Sequence, residues 1–154
     1  MPSKRPIDLR AWNISWEEYK ELVYFCLQYH QKKRRADALL TIPSTTATPA
    51  TYHVAGKEYG VFLPHGGGTG DPVAVTAARR ERYLGDVRMI ESAARAACQD
   101  AGDGIYPVLL RAVTTRDGVR KVLASAHPPI GERQFYALRR KFFWLLREMR
   151  SGSD

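Results

Sequence analysis

Cysteine is scarce in this chain, with two in 154 residues. Cys26 and Cys98 both sit inside apolar helical patterns, which points to buried free thiols rather than a disulfide framework. The four histidines, His30, His53, His65 and His127, are scattered with no His-x-x-x-His pair. Cys26-x-x-x-His30 lacks the second cysteine pair that a zinc site requires. Neither a Gly-x-Ser-x-Gly elbow nor a close acidic pair beside a nucleophile is present. The glycine-rich run Gly66, Gly67, Gly68, Thr69, Gly70 is followed by no Lys-Ser or Lys-Thr, so it is not a nucleotide-phosphate loop. The expectation is a protein with no catalytic residues, no metal and no cofactor, hence not an enzyme. Long apolar runs are missing as well: none reaches the roughly 18 residues of a membrane span, and MPSKRPIDLRAW lacks a signal-peptide core. A cytoplasmic protein without a membrane partner is expected.

What the chain does have is a core and an uneven charge. Hydrophobic residues make up 44% and aromatics 10%, which argues against global disorder. The formal net charge is +8, with a pI near 9.7. Residues 103–154 hold ten Lys and Arg against five Asp and Glu, residues 41–102 are balanced at six each, and residues 1–40 hold eight against five. Basicity concentrated at the two ends fits an electrostatic footprint on phosphate.

Periodicity and caps predict an all-α fold. Ser15 with Glu18 forms the Ser-x-x-Glu capping box, and Tyr19, Leu22, Val23, Cys26, Leu27 and His30 then share a face. This helix is expected to run on into Gln31, Lys32, Lys33, Arg34 and Arg35, cations that suit either a helix C-terminus or phosphate. Tyr24, Phe25 and Tyr29 widen its apolar surface and suggest a second neighbour or a protein partner. Residues 41–70 carry three Pro, six Gly and six Thr with two charges, and read as a linker or irregular loop. A small hairpin of Tyr52–Val54 with Tyr59–Leu63 is a minor alternative. Asp71-Pro72 opens a helix through Ala97, with Asp71 as cap. Its stripe Tyr83, Val87, Ile90, Ala94, Ala97 is core or, at heptad spacing, the seam of a homodimer. Tyr106-Pro107 begins a third helix, with Val108, Leu109, Ala112 and Val113 inward. Asp117 is the expected cap of a fourth, with Val119, Val122, Leu123 and Ala126 inward. The resulting organisation is an N-terminal helical segment at 1–40, a linker at 41–70, and a helical DNA-binding domain at 71–154.

Within that domain, residues 117–150 have the form of a helix-turn-helix: a short helix in GVRKVLASA, the break HPPIG, then the long basic helix ERQFYALRRKFFWLLREMR. At 100° per residue, Phe135, Leu138, Phe142, Leu145, Leu146 and Met149 form the core stripe. Arg133, Tyr136, Ala137, Arg140, Trp144 and Arg147 fall opposite. Arg forks onto guanine, Gln onto adenine, and a small Ala admits a thymine methyl. Arg133, Gln134, Tyr136, Ala137, Arg139, Arg140, Lys141, Trp144 and Arg147 are therefore the candidate DNA-contacting residues, Arg139 and Lys141 as phosphate contacts.

The stretches WNISWEEYKELVYFCLQY, DPVAVTAARRERYLGDVRMIESAARAA and YPVLLRAVTTRDGVRKVLASAHPPIGERQFYALRRKFFWLL resemble small proteins encoded in phages and prophages of Gram-positive bacteria. These are similar to late transcriptional regulators of the RinA and ArpU type, whose C-terminal part resembles the DNA-reading region of sigma factors. The likeness spans about two thirds of the chain and omits much of residues 36–70. It rests on the Tyr106-Pro107 helix start, the Phe135-Tyr136 pair and the run Arg139-Arg140-Lys141-Phe142-Phe143. The Pro128-Pro129 turn is stiffer than the usual sigma-like turn. The resemblance implies a transcription regulator that binds double-stranded DNA at a promoter and meets RNA polymerase. Two alternatives stay open: a packaging or terminase-type DNA recognition subunit, and a protein-interaction factor such as an inhibitor of a host defence enzyme.

Overall fold

The structure is a computed structural model that describes residues 12–40, 51–54, 57–60, 72–102 and 104–152. Six helices build its body: α1 (Trp16–Leu27), α2 (Tyr29–Leu40), α3 (Pro72–Ala97), α4 (Tyr106–Thr114), α5 (Val119–Ala126) and α6 (Glu132–Ser151). The packed unit is all-α, as the periodicity indicates.

The capping box at α1 is complete: the Glu18 N–H donates to Ser15 Oγ at 3.1 Å and the Ser15 N–H to Glu18 Oε2 at 2.9 Å. The single long N-terminal helix is not what forms. Gln28 interrupts it, with its N–H on Phe25 O at 3.3 Å, and the chain resumes as α2 when the Lys32 N–H reaches Gln28 O at 2.8 Å. Tertiary packing accounts for the break, because the two halves have different partners: α1 packs on α4 and α6, α2 on α3. Tyr29, almost fully buried, anchors the switch by donating its hydroxyl to Glu91 at 2.6 Å, and Lys32 pairs with Asp86 at 2.6 Å.

Residues 41–70 are not irregular throughout. Strand β1 (Thr51–Val54) pairs antiparallel with β2 (Lys57–Gly60) in the register Thr51↔Gly60, Tyr52↔Tyr59, His53↔Glu58, Val54↔Lys57. The hairpin is thus formed, with its second strand earlier than Tyr59–Leu63. Gly66–Gly70, residues 61–63 and the expected cap Asp71 lie outside the described residues.

Helix α3 begins at Pro72 and, with 26 residues, spans about 39 Å. Its Val87, Ile90, Ala94 and Ala97 are buried within the chain, chiefly by α2 and α6, and Tyr83 is half-buried, so these four stripe residues are core. Ile105 precedes α4, which carries Pro107 in its first turn and buries Leu109, Ala112, Val113 and Thr114. Asp117 does not cap α5. The N-cap is Gly118, and the Asp117 carboxylate instead accepts from Lys121 Nζ at 2.8 Å and Arg111 Nη2 at 3.3 Å. One core joins side chains of all six helices, from Leu22, Cys26 and Tyr29 through Ile90 and Leu109 to Val122, Phe135, Phe142, Phe143 and Leu146. Cys26 and Cys98 are buried free thiols within it.

Candidate nucleic-acid interface

Helices α4, α5 and α6 place a short helix before a long one across the turn 127–131. His127 ends α5 in the left-handed region at φ 45°, and Gly131 is the N-cap of α6. The turn is a residue longer than the three to four of a typical helix-turn-helix. Val122 on α5 and Phe135 on α6 are both fully buried in the common core, and Leu123, Ile130 and Leu138 pack against that core, with α4 in contact with both helices. At the surface, Arg120 Nε lies 3.3 Å from Glu132 Oε1 and ties α5 to the first turn of α6.

The candidate DNA-contacting residues separate into two groups along α6. Arg133, Gln134 and Ala137 are exposed in its first two turns, with half-buried Tyr136, Arg140 and Lys141 beside or just beyond them. Among the described residues none of the polar members of this group has a hydrogen-bond or ion-pair partner. No side chain caps the first turn of α6, so its first backbone N–H groups have no side-chain acceptor.

Trp144 and Arg147 are placed otherwise than the helical wheel suggests, and Arg139, at the edge of the core stripe on that wheel, is engaged by α1. Arg139 Nη2 donates to the Tyr19 hydroxyl at 2.9 Å, and the guanidinium rests over Phe143 at 5.1 Å and Tyr19 at 5.8 Å. Arg139 Nε is buried without a hydrogen-bond partner. Arg147 Nε lies 3.4 Å from Glu18 Oε1, and Trp144 packs on Trp12 with ring centroids 5.6 Å apart. The reason is a second covered face. Helix α1 runs beside the C-terminal part of α6, with Tyr19 edge-on to Phe143 at 5.2 Å and Arg150 Nη2 3.2 Å from Glu21 Oε1. Phe143, outside the expected core stripe, is consequently 1% exposed. The expected stripe holds: Phe135, Phe142 and Leu146 are fully buried, and Leu138, Leu145 and Met149 flank them.

Two charges near this surface are tuned by their neighbours. The Asp117 carboxyl is held below its ordinary range by the Lys121 ammonium, with Arg111 adding to it. Glu18 is lowered first by the Ser15 backbone N–H and then by Arg147. Sequence reasoning passed over Arg116, Arg120 and Lys121 around α5. Arg116 is exposed, whereas Arg120 and Lys121 are engaged by Glu132 and Asp117. The Asp117–Lys121 spacing of four was the available signal.

An open groove between α1, α3 and the end of α6 is lined by Glu18, Glu21, Phe25, Lys32, Arg147 and Arg150. Its charges are matched internally, through Glu18–Arg147, Glu21–Arg150 and Lys32–Asp86. Among the described residues no cluster of His, Cys, Asp or Glu could hold a metal ion, and no helix is long and apolar enough to cross a membrane. Compared with models of protein families, with curated proteins and with solved structures, the chain matches none.

Proposed function

We propose that the chain is a sequence-specific, double-stranded-DNA-binding transcription regulator that reads base edges with the first two turns of α6. One observation carries this reading. The first two turns of α6 expose Arg133, Gln134 and Ala137, with no side-chain partner among the described residues, and these are residue types suited to guanine, adenine and the thymine methyl. Arg140 and Lys141, a turn further on, supply charge for phosphate, and the uncapped N-terminus of α6 favours it. Arg139, Trp144 and Arg147 fasten α6 to the rest of the protein and are not readers in this proposal.

A promoter setting, with RNA polymerase as partner, rests on the resemblance to the RinA and ArpU type of regulator. Trp16 and Tyr24, 54% and 61% exposed on α1, give such a protein partner an exposed aromatic surface. Selection of bound duplexes from a random pool tests the proposal. A reproducibly enriched motif is expected, and its symmetry reports whether one or two copies bind. A pool that stays random through repeated rounds would contradict base reading.

A further inference from the structure

The basic run Lys32-Lys33-Arg34-Arg35 has two fates in the fold. Lys32 pairs with Asp86 at 2.6 Å, and Lys33 Nζ lies 4.0 Å from Glu91 and 3.5 Å from the Tyr29 hydroxyl. Arg34 and Arg35 are exposed and have no partner among the described residues. A helix C-terminus does not explain them: α2 continues to Leu40, which puts both arginines in mid-helix, beyond the terminal turns where the helix dipole acts.

Helix α3 runs antiparallel beside α2, since Tyr29 meets Glu91 while the later Lys32 meets the earlier Asp86. The second half of α2 therefore points toward the N-terminal half of α3, which carries Arg79, Arg80 and Arg82. Arg79 and Arg82 are exposed without partners among the described residues, and Arg80 Nε is buried with no hydrogen bond. The nearby acids are committed, Glu81 to Arg88 at 3.2 Å and Asp86 to Lys32, leaving Asp37 alone against five arginines.

We infer that this α2–α3 arm is a second binding surface for duplex DNA, gripping the phosphate backbone without regard to base sequence. Exposed arginines spread over two helices suit backbone phosphates, which carry no sequence information. The arm is also remote from the reading end of α6. Cys98, at the end of α3, feels the Lys141 charge, and Asp86 and Met89 line one groove with Arg150 and Ser151, so α3 and α6 are antiparallel. At 1.5 Å per residue, Arg82 lies about 24 Å from Cys98, and Lys141 about 12 Å from Arg133. At 3.4 Å per base step, a duplex running along these helix axes meets the arm about ten base pairs past the α6 site.

This inference shares only its ligand, duplex DNA, with the proposed function. The test compares four full-length proteins on duplexes of about 12 and 40 base pairs over a salt series. They are the wild type, Arg34→Ala/Arg35→Ala/Arg79→Ala/Arg82→Ala, the same four positions changed to Lys, and Arg133→Ala/Gln134→Ala. The slope of log affinity against log salt falls by about 0.9 for each phosphate that the protein no longer neutralises. On the long duplex the alanine arm variant should drop by about 2 to 4 in slope while keeping its preference for the selected motif. On the short duplex it should match the wild type. The lysine variant should retain the slope, since backbone binding needs charge and not the guanidinium fork; should the fourfold alanine variant fail to fold, the single variants Arg34→Ala and Arg79→Ala carry the test, each lowering the long-duplex slope by about 0.9, and slopes equal to wild type in both would overturn the inference. Loss of motif preference in the α6 variant, with its length-dependent slope intact, separates the two surfaces. A chain that discriminates no motif yet shows the arm-dependent slope defeats the proposed function and upholds the arm. Equal slopes for the wild type and the alanine arm variant on the long duplex would overturn the inference and leave the patch to an acidic protein partner.

Discussion

Arg139 and Arg133 are both exposed-helix arginines by sequence, yet their substitutions should have opposite consequences. Arg139→Ala removes the hydrogen bond to Tyr19 and the stacking over Tyr19 and Phe143. The expected cost is about 1 to 2 kcal/mol of stability with base preference unchanged, read from denaturant unfolding and from binding to matched and scrambled duplexes. Arg133→Ala should leave unfolding unchanged. The thiols make a second residue-scale prediction. Burial pushes Cys26 up to about 12 and raises Cys98, so neither should be alkylated in the native protein at neutral pH, while both react after denaturation. A native thiol reacting at the free-cysteine rate would contradict the core placement of α1 and α3. Titration supplies the third. The folded values of Glu18 and Asp117 lie below their ordinary ones, so their contribution to stability is present at neutral pH and is lost as pH falls through the acid range. Tyr29 is displaced upward by burial and by its bond to Glu91, so its contribution is present below its ordinary value of 10.0 and is lost above it. Thermal melts should therefore decline at both ends of the pH scale, with the alkaline decline reduced in Tyr29→Phe.

Helix starts are legible in the sequence because their signals are local. Ser15 with Glu18, Pro72, Tyr106-Pro107 and Gly131 each mark a boundary that the structure reproduces. The interruption at Gln28 is not legible, since no Pro or Gly marks it and its cause is the different partners of α1 and α2. The same limit applies to α6. Its 3.6-residue period correctly names Phe135, Phe142 and Leu146 as buried, but periodicity cannot say how many neighbours a helix has. Trp144 and Arg147 therefore read as outer in sequence, and Phe143 as outside the core stripe, although Trp12 and α1 lie against them in the fold. Both buried faces make the same prediction at element scale. Phe135→Ala and Phe143→Ala should each cost roughly 3 to 5 kcal/mol through cavity formation, measured by denaturant unfolding. A Phe143→Ala protein as stable as wild type would mean that α1 does not dock on α6.

At the scale of the molecule, the shared core makes α1 and α2 part of the platform on which α6 is held, despite the segment 41–71 that separates them from α3 in sequence. The platform leaves one end of α6 uncovered, and the central claim concerns that end: its first two turns read bases in a duplex. The most direct test is the ratio of affinities for the selected and a scrambled duplex, for wild type and Arg133→Ala, at two salt concentrations. Wild type should favour the selected duplex at both. The Arg133→Ala variant should lose about 1 to 3 kcal/mol of that preference at one position, with the salt slope little altered. A wild type that binds both duplexes equally, or an Arg133→Ala protein that loses affinity for both alike while keeping the full preference, would contradict base reading by this end of α6.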